Sequence, residues 1–248
     1  MLSWIRMFLM GVHFIVAGAL GLLLVLCRPF NPDNSRLCAR LYGVPAMWIL
    51  GLGVRAEVES LKGRTGSCVL VANHQSNYDL FTFGTIVPYR TAAMGKKSLK
   101  WLPFFGQIFW LAGNVLVDRS NAYKARRSML DTADILRNTD TSIWIFPEGT
   151  RNQGQTLLPF KKGAFQMAIA AGVPIIPVCA NRYASHLQLN RWNSGEVMIR
   201  SLEPISTAGL TSDDIPRLMQ TCREQMHACI EAMEQELKST AAGELGSG

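Results

Sequence analysis

From residue 55 onward, short apolar runs alternate with longer amphipathic stretches, and that alternation leaves few folds open. It is the pattern of an α/β domain, here predicted as a mixed, largely parallel sheet of about seven strands flanked by helices. Strands are expected near residues 55–60, 67–72, 91–95, 114–118, 142–146, 173–179 and 196–200, and helices near 77–87, 102–111, 121–138, 160–171 and 212–238. Ser212, Asp213 and Asp214 supply a cap and first turn for the last helix, and its stripe from Leu218 to Leu237 reads as core packing. Residues 241–248 are small and polar and read as a disordered tail.

A different pattern precedes the domain. Residues 7–27 form an apolar run of 21 residues broken only by His13 and three glycines, about 31 Å long if helical and so matched to a bilayer core. A cleavable signal peptide is the competing reading, but no small-x-small site precedes Arg28. The turn-rich segment RPFNPDNS at 28–35 separates this run from a second helical stretch, residues 37–54, with Pro45 inside it. The expected organisation is a membrane-associated two-helix motif over residues 1–54, an α/β domain over 55–240, and the tail. Basic residues flank both helices, at Arg6, between the two and at Arg55, so charge does not say whether the pair spans the bilayer or dips into one leaflet.

Charge and hydropathy narrow the partners. The 248 residues carry a formal charge of +7 with 48% hydrophobic residues, which fits an anionic membrane surface. Nucleic acid fits only the charge, because no zinc spacing, recognition-helix pattern or aromatic-glycine RNA motif is present, and it is not expected as a partner. The six cysteines include no Cys-x-x-Cys and sit mostly among apolar neighbours, so they read as free thiols, neither metal ligands nor a disulfide frame.

The chemistry is concentrated in residues 69–79, VLVANHQSNYD. An apolar strand there delivers His74 into a polar turn, with Asp79 opening the next helix. Residues five apart on one helix point about 140° away from each other, so this pair meets only by straddling a turn. Asp79 would then fix the imidazole tautomer and leave the other nitrogen as a base; a satisfied structural hydrogen bond is the alternative. A second polar cluster, Phe146 to Arg151 (FPEGTR), follows a predicted strand, where open α/β sheets bind ligands. There Glu148, Gly149, Thr150 and Arg151 offer a carboxylate, close backbone approach, a hydroxyl and a guanidinium suited to phosphate. Lys96, Lys97 and Lys100 precede an aromatic run, Asp118 and Arg119 end the segment GNVLVDR, and Lys161 and Lys162 add positive potential.

Taken together, NHQSNYD, GNVLVDR, FPEGTR and the strand VPIIPV at 173–178 make the chain resemble the glycerolipid acyltransferases, and among them the bacterial 1-acyl-sn-glycerol-3-phosphate acyltransferase type, over nearly all of residues 1–240. The resemblance implies that His74 is the general base and Asp79 orients it, that Lys96, Arg119 and Arg151 bind the acceptor's phosphate, and that Glu148, Gly149 and Thr150 shape the acceptor site. It also implies an acyl-carrier-protein or coenzyme A thioester as co-substrate, lysophosphatidic acid as acceptor, membrane phospholipids as surroundings, no cofactor or metal, and a place at the bacterial cytoplasmic (inner) membrane with the site facing the cytoplasm. Which of lysines 96, 97 and 100 reaches phosphate stays open. Thioester chemistry agrees: the acyl group is already activated, so an alcohol deprotonated by a positioned base attacks it directly. Backbone N–H groups of the 73–79 turn are candidates for stabilising the oxyanion. Ser76 lacks the Gly-x-Ser-x-Gly elbow, which disfavours it as a nucleophile.

Overall fold

The computed structural model describes residues 1–63, 66–118 and 120–246. Seven strands form one sheet: β1 (Leu52–Glu57), β2 (Val69–Ala72), β3 (Thr91–Lys96), β4 (Val115–Val117), β5 (Ser142–Ile145), β6 (Ile175–Ala180) and β7 (Gly195–Ser201). Their order is β1-β7-β6-β2-β5-β3-β4, and every neighbouring pair is parallel except β6 with β7. The sheet is therefore mixed and largely parallel, as the alternating pattern predicts. The central strands read as unbroken apolar runs because both faces are covered. Val69 and Val71 of β2 face one core cluster, with Phe165, Met167, Met226 and Met233. Leu70 and Ala72 face the other, with Tyr42, Leu50 and Phe83, as the two-residue period of a strand requires.

Helices α5 (Ala122–Asn138), α6 (Gly163–Ala171) and α8 (Ile215–Gly246) contribute to the first cluster. The helix starting at Ile215 continues to Gly246, into the stretch read from sequence as a disordered tail. The other face is covered from the N-terminus, by α1 (Leu2–Cys27) and α2 (Asn34–Leu50). The short α3 (Asp79–Thr82) tightens into a 3-10 turn over Phe83–Thr85, so the helix expected near 77–87 is shorter than its apolar pattern. Two glycines let α2 sit directly on it: a Cβ at Gly43 would lie 2.5 Å from the Phe81 carbonyl oxygen, and one at Gly84 would lie 2.6 Å from that of Ala39. Helix α4 (Phe105–Leu111) closes a third apolar cluster with Val25 and Cys38.

The two-helix motif is thus part of the fold. Along α1, residues Arg6, Met10, Ala17, Gly18, Gly21 and Val25 are buried against the protein. Trp4, Phe8, Ile15, Leu20, Leu23 and Leu26 are exposed on the remainder. By length and composition α1 is the one helix among the described residues that could cross a membrane. Strand β1 begins at Leu52, within residues expected to belong to the second helix, because Gly51 in the left-handed conformation ends α2 one turn early.

Candidate active site

The carboxyl ends of β2, β3, β4 and β5 lie side by side along one edge of the sheet, and each leads into one of the polar segments. Beyond β2 the chain leaves extended geometry at residues 73–78 and enters α3 at Asp79. The turn folds back on itself so that His74 Nδ1 lies 2.5 Å from Asp79 Oδ2. Asp79 is 1% exposed, and the same carboxylate oxygen also accepts from the backbone N–H groups of Gln75 at 2.6 Å and Ser76 at 3.1 Å. Its other oxygen accepts from the Tyr183 hydroxyl. Because a carboxylate held by four donors offers only lone pairs, Nδ1 must carry the proton, and the other ring nitrogen, Nε2, is left basic. The ring plane is fixed from the side by Phe146, whose ring stacks on His74 with centroids 4.2 Å apart and planes 14° from parallel.

Glu148 performs a task that the sequence does not reveal. It is 2% exposed and accepts from the backbone N–H of His74 at 2.8 Å, from that of Leu158 at 2.9 Å and from the Asn152 amide at 3.1 Å. Burial pushes its carboxyl pKa up, opposed by these same hydrogen bonds. The Asn152 N–H donates to the His74 carbonyl at 2.8 Å, and the Gln153 N–H to that of Gln75 at 3.0 Å. The turn after β5 is thereby clasped to the turn carrying the dyad. Gly149 has φ +71 and passes so close to Lys161 that a Cβ would lie 2.8 Å from its Nζ.

Four of the turn's N–H groups are not available to an oxyanion. Those of His74, Gln75 and Ser76 are already engaged by Glu148 and Asp79, and that of Tyr78 donates to Ser76 Oγ at 3.0 Å. Ser76 Oγ lies 3.2 Å from the Tyr183 hydroxyl, and among the described residues its partners do not include His74. Tyr183 opens α7 (Tyr183–His186) just beyond β6, is 2% exposed, and has its hydroxyl pKa raised by burial and then by the Asp79 charge. No motif marks it; only the pairing of β6 with β2 brings it under the dyad.

The cations sit outside this buried centre. Lys97 pairs with Asp118 at 3.2 Å, and Lys100 lies over the Trp101 ring, 4.4 Å from its centroid. Lys96 is exposed at the end of β3 and, among the described residues, has no ion-pair partner. Arg151 is exposed and donates to Asn77 Oδ1. Arg119 lies outside the described residues. Three cavities open around this end of the sheet, and Asp79 lines the first of them. One of about 120 Å³ is almost wholly apolar and runs from Asp79 and Phe146 between Tyr42, Phe105, Ile108 and Trp144. A second, of about 830 Å³, lies between α1 and residues 75–78, with Thr150 and Arg151 on its wall. A third, of about 580 Å³, holds Gly149, Lys161 and Lys162.

Residues 54–181, which contain the dyad turn, the lysine cluster, GNVLVDR and FPEGTR, match the family model described as Acyltransferase. The chain belongs to the acyltransferase family. It is 39% identical over 237 residues to the 1-acyl-sn-glycerol-3-phosphate acyltransferase of Haemophilus influenzae, covering 96% of this chain and 98% of that one. It is likewise 39% identical to the Escherichia coli protein of the same name, across 99% of this chain and 100% of the relative. The crystal structure of the 1-acyl-sn-glycerophosphate acyltransferase PlsC from Thermotoga maritima shares the fold, with a TM-score of 0.72 at 24% identity over 94% of this chain and 95% of that one. This acyltransferase therefore carries its family's fold together with a histidine-carboxylate pair at the edge of the sheet.

Proposed function

We propose that this acyltransferase moves a fatty acyl group from a coenzyme A or acyl-carrier-protein thioester to the sn-2 hydroxyl of 1-acyl-sn-glycerol-3-phosphate, forming phosphatidic acid. The observation that carries the reading is the His74 ring, locked through Nδ1 by Asp79 and stacked on Phe146, with no partner to its second nitrogen among the described residues. Near-full-length relatives bearing that activity in their names support the substrate. Nε2 takes the hydroxyl proton as the oxygen attacks the thioester carbonyl; the tetrahedral intermediate then expels the thiolate, which recovers the proton from the imidazolium. Atoms and charge balance with no covalent enzyme intermediate and no cofactor.

The surroundings suit the two substrates. An already apolar cavity beside Asp79 and Phe146 accepts the transferred hydrocarbon chain. Arg151 and Lys96 provide charge for a phosphate monoester, Lys96 being the lysine of its cluster without a partner among the described residues. The exposed apolar face of α1, with Trp48, Trp101 and Trp110 exposed elsewhere on the protein, suits a bilayer interface. Because the buried stripe of α1 packs on its own domain, lipid cannot surround this helix, which favours seating in one leaflet over spanning. The basic excess draws an anionic acceptor and anionic lipids to that interface.

The test is acyl transfer from labelled thioesters to lysophosphatidic acid in vesicles, with lysophosphatidylcholine and lysophosphatidylethanolamine as competing acceptors and both donor types in parallel. Dominant turnover of the phosphate monoester is expected. A strong preference for either diester acceptor would overturn the reading.

A further inference from the structure

We propose that the cavity between α1 and the 75–78 turn binds the acceptor's own hydrocarbon chain, which makes the N-terminal helix a wall of the substrate site as well as a membrane contact. The inference rests on the reading of the acceptor as a lysophospholipid. One side of this space of about 830 Å³ is apolar, formed by Met7, Met10 and Phe14 of α1, and the other is polar, formed around Asn77 and Arg151. A cavity with an apolar wall facing a guanidinium matches a single-chain anionic amphiphile. A soluble anion would make no use of the first wall, and a neutral lipid none of the second.

The helix that forms the wall is held in place. Arg6 is 4% exposed, and its guanidinium donates to the carbonyl oxygens of Leu189 at 3.0 Å, Arg191 at 2.6 Å and Trp192 at 2.7 Å, and to Ser194 Oγ. A buried charge is tolerated only where fixed acceptors surround it, so this knot pins the first turns of α1 one residue before Met7. Met7 in turn meets the Tyr78 hydroxyl, with Sδ 4.0 Å from the oxygen. Beyond the wall, the outward side of the same helix exposes Trp4, Phe8 and Leu9.

The arrangement also separates two chains. The transferred acyl group has the apolar cavity that Asp79 lines, whereas the acceptor's chain has the groove along α1 that Gln75 to Tyr78 line, so the two spaces meet the dyad's turn at different residues.

Gly11 gives the test, because it lines the cavity and a Cβ there would meet nothing within 4 Å. Gly11→Leu and Gly11→Ala would be assayed with palmitoyl and hexanoyl lysophosphatidic acid at saturating donor, alongside thermal melting. Gly11→Leu is expected to raise KM for the palmitoyl acceptor about tenfold, the scale of losing one or two methylene burials, while KM for the hexanoyl acceptor, kcat and the melting temperature stay within about twofold or a few degrees. Gly11→Ala, which fills less of the space, should raise the palmitoyl KM by less than Gly11→Leu does. Equal KM shifts for both acceptors, no shift for either, or the same shift from alanine would overturn the proposal. An unmodified enzyme that ignores lysophosphatidic acid would instead fail the reading of the substrate, and the same chain-length comparison would then be run on the lysophospholipid it does accept.

Discussion

The dyad and the cationic rim are two parts of one site built on opposite principles. At the dyad, Asp79 and Glu148 are almost wholly buried and their oxygens are filled by donors from three separate segments, so His74 has one orientation and one tautomer. At the rim, Lys96 and Arg151 are exposed, and Arg151 donates to the neutral amide oxygen of Asn77. Proton transfer needs a base within hydrogen-bond reach at a fixed angle, whereas holding a phosphate at a lipid interface needs charge on side chains that can follow the headgroup. The difference teaches that substitutions at the centre should act on turnover, and substitutions at the rim on acceptor affinity.

Removing the base is the sharpest way to test the first half. His74→Ala is expected to lower kcat by about 10² to 10⁴, the range of general-base assistance, with KM for both substrates changed far less. Steady-state kinetics on lysophosphatidic acid would check this. Turnover within tenfold of the unsubstituted enzyme would mean that the base is another group.

Glu148 comes next, and it breaks the simple division because it shares a segment with the exposed Arg151 yet belongs to the centre. Glu148→Ala leaves the buried N–H groups of His74 and Leu158 without acceptors, each at a cost of about 1–3 kcal/mol, and it frees the two turns from each other. A clear fall in melting temperature together with a loss of kcat is expected. A variant with normal melting and a raised acceptor KM alone would return Glu148 to the rim.

This residue also marks the limit of what the sequence discloses. The central strands β2, β5 and β6 were legible because apolar runs buried on both faces leave a plain local signal, and His74 with Asp79 because their spacing forces a turn. The partners of Glu148 were not, since FPEGTR shows a carboxylate beside a guanidinium and nothing in it says that the carboxylate points inward, to a backbone N–H 74 positions earlier. Tyr183 was hidden for the same reason, being set beneath Asp79 by the long-range pairing of β6 with β2. Arg6 read as a charge flanking a membrane helix, although the structure buries it among backbone carbonyls.

Tyr183→Phe tests how far the fixed geometry matters once the base itself is intact. The change removes one hydrogen bond to Asp79 Oδ1 and adds no bulk, so about a tenfold fall in kcat is expected, equivalent to the 1–1.5 kcal/mol of one such bond. The KM values should hold. A spectroscopic readout goes with it: the His74 Nδ1 proton, bonded to a carboxylate at 2.5 Å, should resonate far downfield in the unsubstituted enzyme and shift in the variant. Unchanged kcat and an unmoved resonance would show that three donors position Asp79 as well as four.

The smallest effects divide the rim itself. Lys96 and Lys97 are adjacent and both exposed, yet among the described residues only Lys97 has a carboxylate partner, Asp118 at 3.2 Å, whose pKa is lowered to about 2 by the hydrogen bonds of Ser120 and then Lys97. If Lys96 meets the acceptor's phosphate, Lys96→Ala should raise KM for lysophosphatidic acid about fivefold, in the range of a solvent-exposed charge-assisted contact. Lys97→Ala should change it by less than about twofold, because an exposed ion pair contributes little and its loss removes no ligand. Raising the salt concentration should shrink the Lys96 effect, as screening weakens any contact between exposed charges. Should the two variants exchange their effects, the Lys97–Asp118 pair opens when the acceptor binds, and the rim is looser still than the contrast with the dyad requires.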